Sequence, residues 1–121
     1  MASLVPIEKV PALTSRKLDA ILIDDDPLVH AVWKMSAKTR SKSLEVFFSI
    51  DEFNARSFAI EFTVPIYVDS SLGGGVKGEE FAKSLHEQGF SEVYLATGFS
   101  ADRFISMPWL RGIVGKESPW S

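Results

Sequence analysis

The stretch Ile21-Leu22-Ile23-Asp24-Asp25-Asp26-Pro27-Leu28 runs three apolar residues directly into three acidic ones. Carboxylates packed this closely repel and raise each other's pKa. The same layout, a short apolar run closed by a polar side chain, returns three times. Val64-Pro65-Ile66-Tyr67-Val68 ends on Asp69, Val93-Tyr94-Leu95-Ala96 ends on Thr97, and Ile113-Val114 is followed closely by Lys116. Hard oxygen ligands without His or Cys select Mg²⁺ or a similar cation, and a bound cation would offset the repulsion. Lys116 adds a compact positive charge suited to a carboxylate or a phosphoryl oxygen. Thr97 adds a hydroxyl that can donate to such an oxygen. Metal, lysine and hydroxyl are parts that phosphoryl transfer needs, because catalysis there is mostly positioning and charge neutralisation. A carboxylate can be the nucleophile, giving an aspartyl phosphate.

The elements that must bring these residues together are legible as an alternation. Ala20–Ile23 reads as a strand buried on both faces. A helix follows from Pro27 with Leu28, Val29, Val32, Trp33 and Met35 as its apolar pattern. Asp26 is its N-cap and Pro27 sits in its first turn. The basic run Lys38-Thr39-Arg40-Ser41-Lys42 suits the helix C-terminus. Leu44–Phe48 reads as a second strand, Asp51–Phe58 as a short helix, and Val64–Val68 as a third strand. Glu79–Gln88 forms a helix with Phe81, Ala82 and Leu85 on one side and Gly89 as C-cap. Val93–Ala96 is a fourth strand, Ser100 caps a short helix ending near Pro108, and Ile113-Val114 is a fifth strand. Strands alternating with helices predict a doubly wound α/β fold with a five-stranded parallel sheet. Ligands of such sheets bind outside the carboxyl ends of the strands, where Asp24, Asp25, Asp69, Thr97 and Lys116 converge.

Composition bounds the rest. The chain has 121 residues, 45% of them hydrophobic and 24% charged, which predicts one ordinary globular domain. Residues 1–17, with two prolines and no clean periodicity, read as a linker or N-terminal arm, and 18–121 as the domain. The formal charge of −3 argues against a nucleic-acid partner. The absence of cysteine excludes a disulfide framework. No apolar run approaches the ~20 residues that span a bilayer, and no signal-peptide layout opens the chain. The expectation is a cytoplasmic domain with no membrane contact of its own.

Taken in order, IDDD, YVDSS, LATG and IVGK resemble the receiver domain of two-component response regulators, over roughly Leu18 to Lys116. The ending GKESPW is similar to receiver-like domains at the C-terminus of hybrid sensor histidine kinases. The resemblance implies the flavodoxin-like receiver fold and a role for each strand-end residue. Asp69 would be the phosphoacceptor. Asp24 and Asp25 would hold Mg²⁺, Asp25 as the direct ligand, with Asp69 and the backbone carbonyl of Ser71 completing the protein's share. Thr97 and Lys116 would sense the phosphoryl group. The donor would be a phosphohistidine on a histidine kinase or a phosphotransfer domain. The chain would be a phosphoacceptor rather than a turnover enzyme, part of a larger signalling protein.

The chain departs from the receiver pattern in four places. Ile113 occupies the switch position, three before the lysine, where an aromatic residue is usual. Glu117 and Ser118 separate Lys116 from Pro119, so the usual cis peptide is missing or displaced. The loop after Asp69 carries Gly73-Gly74-Gly75 and is one residue longer. The last helix is missing, which leaves one flank of the sheet for the N-terminal arm, another domain or a second copy.

Other readings stand beside this one. A degenerate receiver could act as a phosphorylation-independent docking or dimerisation module. A haloacid-dehalogenase-type phosphatase would use Asp24 and Asp26 as nucleophile and acid, but Leu28 stands where Thr or Val is usual and no late acidic pair follows Lys116. Gly73-Gly74-Gly75 lacks the Gly-Lys-Ser/Thr of a P-loop. His30 reads as a helix-surface or packing residue and His86 as solvent-facing. Phe104, Met107, Trp109, Leu110 and Trp120 form an apolar group that serves core packing or an interface.

Overall fold

The computed structural model describes residues 18–72, 75, 77–99 and 107–120. The arm 1–17, Gly73, Gly74, Phe104 and most of the short helix expected from Ser100 lie outside the described residues. The element order is β1 (Ala20–Ile23), α1 (Pro27–Thr39), β2 (Leu44–Phe47), α2 (Ile50–Arg56), a 3₁₀ turn (Ser57–Ala59), β3 (Ile66–Asp69), α3 (Gly78–Gln88), β4 (Val93–Ala96) and β5 (Gly112–Val114). All five strands are parallel, in the spatial order β2-β1-β3-β4-β5. The expected doubly wound sheet is therefore present, and no helix follows β5 among the described residues.

Local signals explain most element ends. Asp26 has extended backbone and its carboxylate accepts from the Leu28 N–H, with Pro27 in the first turn, so one donor that the helix start would orphan is satisfied. Ser49 does the same for α2 by accepting from the Glu52 N–H. Gly89 ends α3 in the left-handed region, at φ +116°, where glycine escapes the Cβ penalty. The second helix is shorter than expected. Its α-helical part stops at Arg56, and residues 57–59 tighten into the 3₁₀ turn.

Alternation along the strands sorts the side chains onto two faces. Ile21, Ile23, Ile66, Val68 and Val93 face α2 and α3, where Phe47, Phe53, Phe81, Leu85 and Phe90 complete the core. Phe53 is the hub, with edge-on contacts to Phe47, Phe81 and Phe90 at 5.6, 5.8 and 6.0 Å. Leu22, Tyr67 and Tyr94 share the opposite face through their registered pairing. There Trp33 of α1 is fully buried and meets Tyr67 edge-on at 5.3 Å. The stripe that α1 turns inward is His30, Trp33 and Ala37, whereas Leu28, Val32 and Met35 are exposed. The expected helix is correct; Trp33 of its apolar pattern is fully buried, and His30 and Ala37 complete the inward face.

The C-terminal apolar group divides between the faces. Trp109 and Leu110 pack against the main core. Trp120 lies across the sheet's other face, edge-on to Trp33 at 6.5 Å. The segment after β5 thus folds back over α1, held by a Ser118–Ser36 hydroxyl pair at 2.7 Å. Part of the flank expected to be bare is covered by the chain's own tail.

Candidate functional site

Most of the buried polar side chains gather where the strands end. Asp24 follows β1, Asp69 closes β3, Ser70 follows it and Thr97 follows β4, and all four are buried. Backbone ladder bonds pin these positions. The Asp24 N–H donates to the Phe47 carbonyl at 3.1 Å, and the Thr97 N–H to the Val114 carbonyl at 2.9 Å. Parallel pairing in register is what brings residues so far apart in the chain to one edge.

Lys116 joins the two buried carboxylates. Its Nζ donates to Asp24 Oδ2 and to Asp69 Oδ1, both at 2.7 Å. The remaining Asp24 oxygen, Oδ1, accepts from the Asp26 N–H at 2.9 Å. Asp25 is exposed, and a carboxylate oxygen from each of Asp24, Asp25 and Asp69 lies within 4.8 Å of the others. Three carboxylates against one ammonium leave two negative charges at this corner, the charge of one divalent cation. The donor set is all oxygen, as Mg²⁺ requires. The Ser71 backbone N–H also reaches the Asp69 carboxylate, and Ser71 itself is exposed and bridges to Lys77.

The electrostatics follow from sharing one cation between two acids. Burial pushes the Asp69 carboxyl above its ordinary value, and the Asp24 charge adds to this, while Lys116 and the Ser71 N–H oppose. Burial pulls the Lys116 ammonium down, but hydrogen bonds and charge from Asp24 and Asp69 outweigh it, and its pKa is raised. Lys116 is therefore a firmly charged clamp, and Asp69 is only partly compensated by it.

The supporting contacts were not legible in the sequence. Lys116 is positioned through its own carbonyl, which accepts from Trp33 Nε1–H at 2.8 Å. His30 is buried beneath the acidic corner and its Nε2 bonds the Asp24 carbonyl at 2.6 Å. Since a carbonyl only accepts, the proton belongs on Nε2. The ring stacks on Phe48 at 3.9 Å, and Nδ1 is buried without a partner among the described residues. Its spacing on a helix just after an acidic run was the one available hint. Gly78 opens α3 directly against the Asp69 backbone: a Cβ there would stand 1.7 Å from the Asp69 carbonyl oxygen. The Gly78 N–H donates to the Ser70 carbonyl at 3.0 Å.

Thr97 sits at the expected strand end, beside the acidic corner rather than bonded into it. Its Oγ1 pairs with Ser70 Oγ at 2.8 Å and accepts from the Phe99 N–H at 3.0 Å. Ile113 lies in the middle of β5, half-buried and paired with Leu95. No cis peptide occurs among the described residues. His86 lies near the end of α3 and is exposed.

The sequence matches no known family profile and no curated relative. Comparison of folds is more informative. The chain superposes on a CheY-like response regulator receiver domain from Methanospirillum hungatei with a TM-score of 0.66 at 20% identity, covering 83% of this chain and 82% of that one. The fold is that of a response regulator receiver domain. The response regulator DrrB of Thermotoga maritima, described as an OmpR/PhoB homologue, matches with a TM-score of 0.66 at 17% identity, over 83% of this chain and 46% of that one. The receiver fold expected from the four strand-end motifs is thus present, with three α-helices among its described residues. None of the described helices is long and apolar enough to cross a membrane.

Proposed function

We propose that this domain is a phosphoacceptor in two-component signalling, and that Asp69 takes a phosphoryl group from a phosphohistidine on a histidine kinase or phosphotransfer domain. The observation that carries the reading is Lys116, placed 2.7 Å from both Asp24 and Asp69 at the carboxyl edge of a receiver-type sheet. A carboxylate oxygen of Asp69 attacks phosphorus. The phosphorus–nitrogen bond breaks with its electron pair remaining on the imidazole, and the new phosphorus–oxygen bond makes an acyl phosphate. Asp24, Asp25, Asp69 and the Ser71 carbonyl would hold Mg²⁺, which when bound neutralises charge on the phosphoryl oxygens. Lys116 follows the charge from the carboxylate to the phosphoryl group. Thr97 and Lys116 then bias the region after β4 between two states. Residues 1–17 would serve as a linker or N-terminal arm, and the resemblance of the GKESPW motif supports a hybrid histidine kinase as the cytoplasmic context.

Intact-protein mass after incubation with Mg²⁺ and acetyl phosphate tests this. Wild type should gain a single labile phosphoryl group and Asp69→Ala none. Wild type left unmodified by both acetyl phosphate and a phosphorylated phosphotransfer domain would sink the reading.

The docking-module alternative is favoured by two observations: Ile113 at the switch position, and the exposed stripe Leu28, Val32 and Met35 on α1. It requires that partner binding survive Asp69→Ala with unchanged affinity.

A further inference from the structure

We propose that Ser70 is a positioning residue that latches the Thr97 hydroxyl away from the acidic corner, and so sets how tightly that corner holds a phosphoryl group. The inference rests on the phosphoacceptor reading of Asp69 and extends it to a residue that the strand-end motifs did not single out.

Register brings the two hydroxyls together. Asp69 pairs with Ala96 at the ends of β3 and β4, so Ser70 and Thr97 are the residues that come next after two adjacent strands. Both side chains are buried, and their oxygens are 2.8 Å apart. A hydroxyl has one hydrogen to give. At Thr97 the Phe99 N–H occupies one acceptor position on Oγ1. The latch is the arrangement of the hydroxyl pair in which Thr97 donates to Ser70, and in it the single Thr97 hydrogen must leave Ser70 to reach another acceptor. Turning the Thr97 hydroxyl toward a phosphoryl oxygen on Asp69 therefore exchanges one buried hydrogen bond for another. It also leaves the largely buried Ser70 hydroxyl without its present partner, which carries a desolvation cost. An apolar side chain at position 70 would impose no such exchange. The backbone of Ser70 is itself held, because its carbonyl accepts from the Gly78 N–H at 3.0 Å, so its Cα keeps its place as Thr97 turns.

The test is the affinity of the chain for trifluoroberyllate in the presence of Mg²⁺, a non-covalent stand-in for the phosphoryl group, measured by calorimetry. Ser70→Ala should bind about fivefold more tightly than wild type, the size of one net hydrogen bond. Ser70→Thr, which keeps the hydroxyl, should behave as wild type. In a Thr97→Ala background the gain from Ser70→Ala should vanish, since the coupling belongs to the pair. Unchanged or weaker binding by Ser70→Ala overturns the latch, as does an equal gain with Thr97 removed. Wild type that fails to bind trifluoroberyllate at all overturns the phosphoacceptor reading and the latch with it, so the two failures are distinguishable.

Discussion

The two faces of the sheet are closed in different ways. On one, α2 and α3 cover Ile21, Ile66, Val68 and Val93, and Phe53 ties three other phenylalanines into a continuous cluster. On the other, α1 and the tail after β5 share the work, and the aromatic residues there carry polar tips. Trp33 donates to the Lys116 carbonyl, Tyr67 and Tyr94 stack with ring centres 4.8 Å apart, and Tyr94 donates to Glu92. An open groove of about 400 Å³ remains between Tyr67 and Val114, Gly115, Glu117, Ser118 and Pro119. The first face supplies stability by apolar burial. The second couples packing to the site, because the same tryptophan that fills it also holds the backbone of the lysine that clamps the acids.

This contrast can be broken most severely on the closed face. Phe53→Ala should cost about 3–5 kcal/mol, the usual range for emptying a phenylalanine site, read as a lowered urea midpoint with an unchanged slope. Gly78→Ala comes next. The new methyl group meets the Asp69 carbonyl oxygen, which is backbone and cannot rotate away, so about 1–3 kcal/mol is expected. A loss of phosphoryl uptake should accompany it, larger than the fractional loss of stability, because the strain falls on Asp69 itself. Trp33→Phe on the other face should cost about 1–2 kcal/mol from one hydrogen bond and a partial cavity. Its acetyl phosphate reaction should slow as Lys116 loses its anchor, whereas Phe53→Ala should leave the rate of the folded fraction unchanged.

The smallest expected effect is a pH dependence. Asp69 titrates above its ordinary value because burial and Asp24 outweigh Lys116 and the Ser71 N–H. The ionised carboxylate is the nucleophile, so phosphoryl uptake should decline on acidification at a pH higher than an ordinary aspartate would give. For stability the sign is opposite to that of a well-paired carboxylate. The fold favours the protonated form, so the contribution of Asp69 is fully present below its unfolded pKa and is lost as pH rises through the raised folded value. Asp69→Asn should therefore be more stable than wild type at neutral pH, with the advantage disappearing in acid. Urea midpoints across that range check the direction.

What the sequence alone determined is local. Apolar runs marked the five strands because a buried parallel strand needs apolar residues on both faces, and Asp26-Pro27 and Gly89 marked helix ends because those side chains suit the end geometry. The ordered polar residues after each run marked Asp24, Asp25, Asp69, Thr97 and Lys116 as neighbours, since parallel strands place such residues at one edge. Alternation could not supply strand order, the inward face of α1, or the route of the tail. Those depend on register between segments far apart in the chain, and only the tertiary structure decided them. So too with the contacts that tune the site: Trp33 on the Lys116 carbonyl, His30 under Asp24, Gly78 against the Asp69 backbone, and Ser70 on Thr97. Each joins residues on different elements, where no local propensity or period reports the partner.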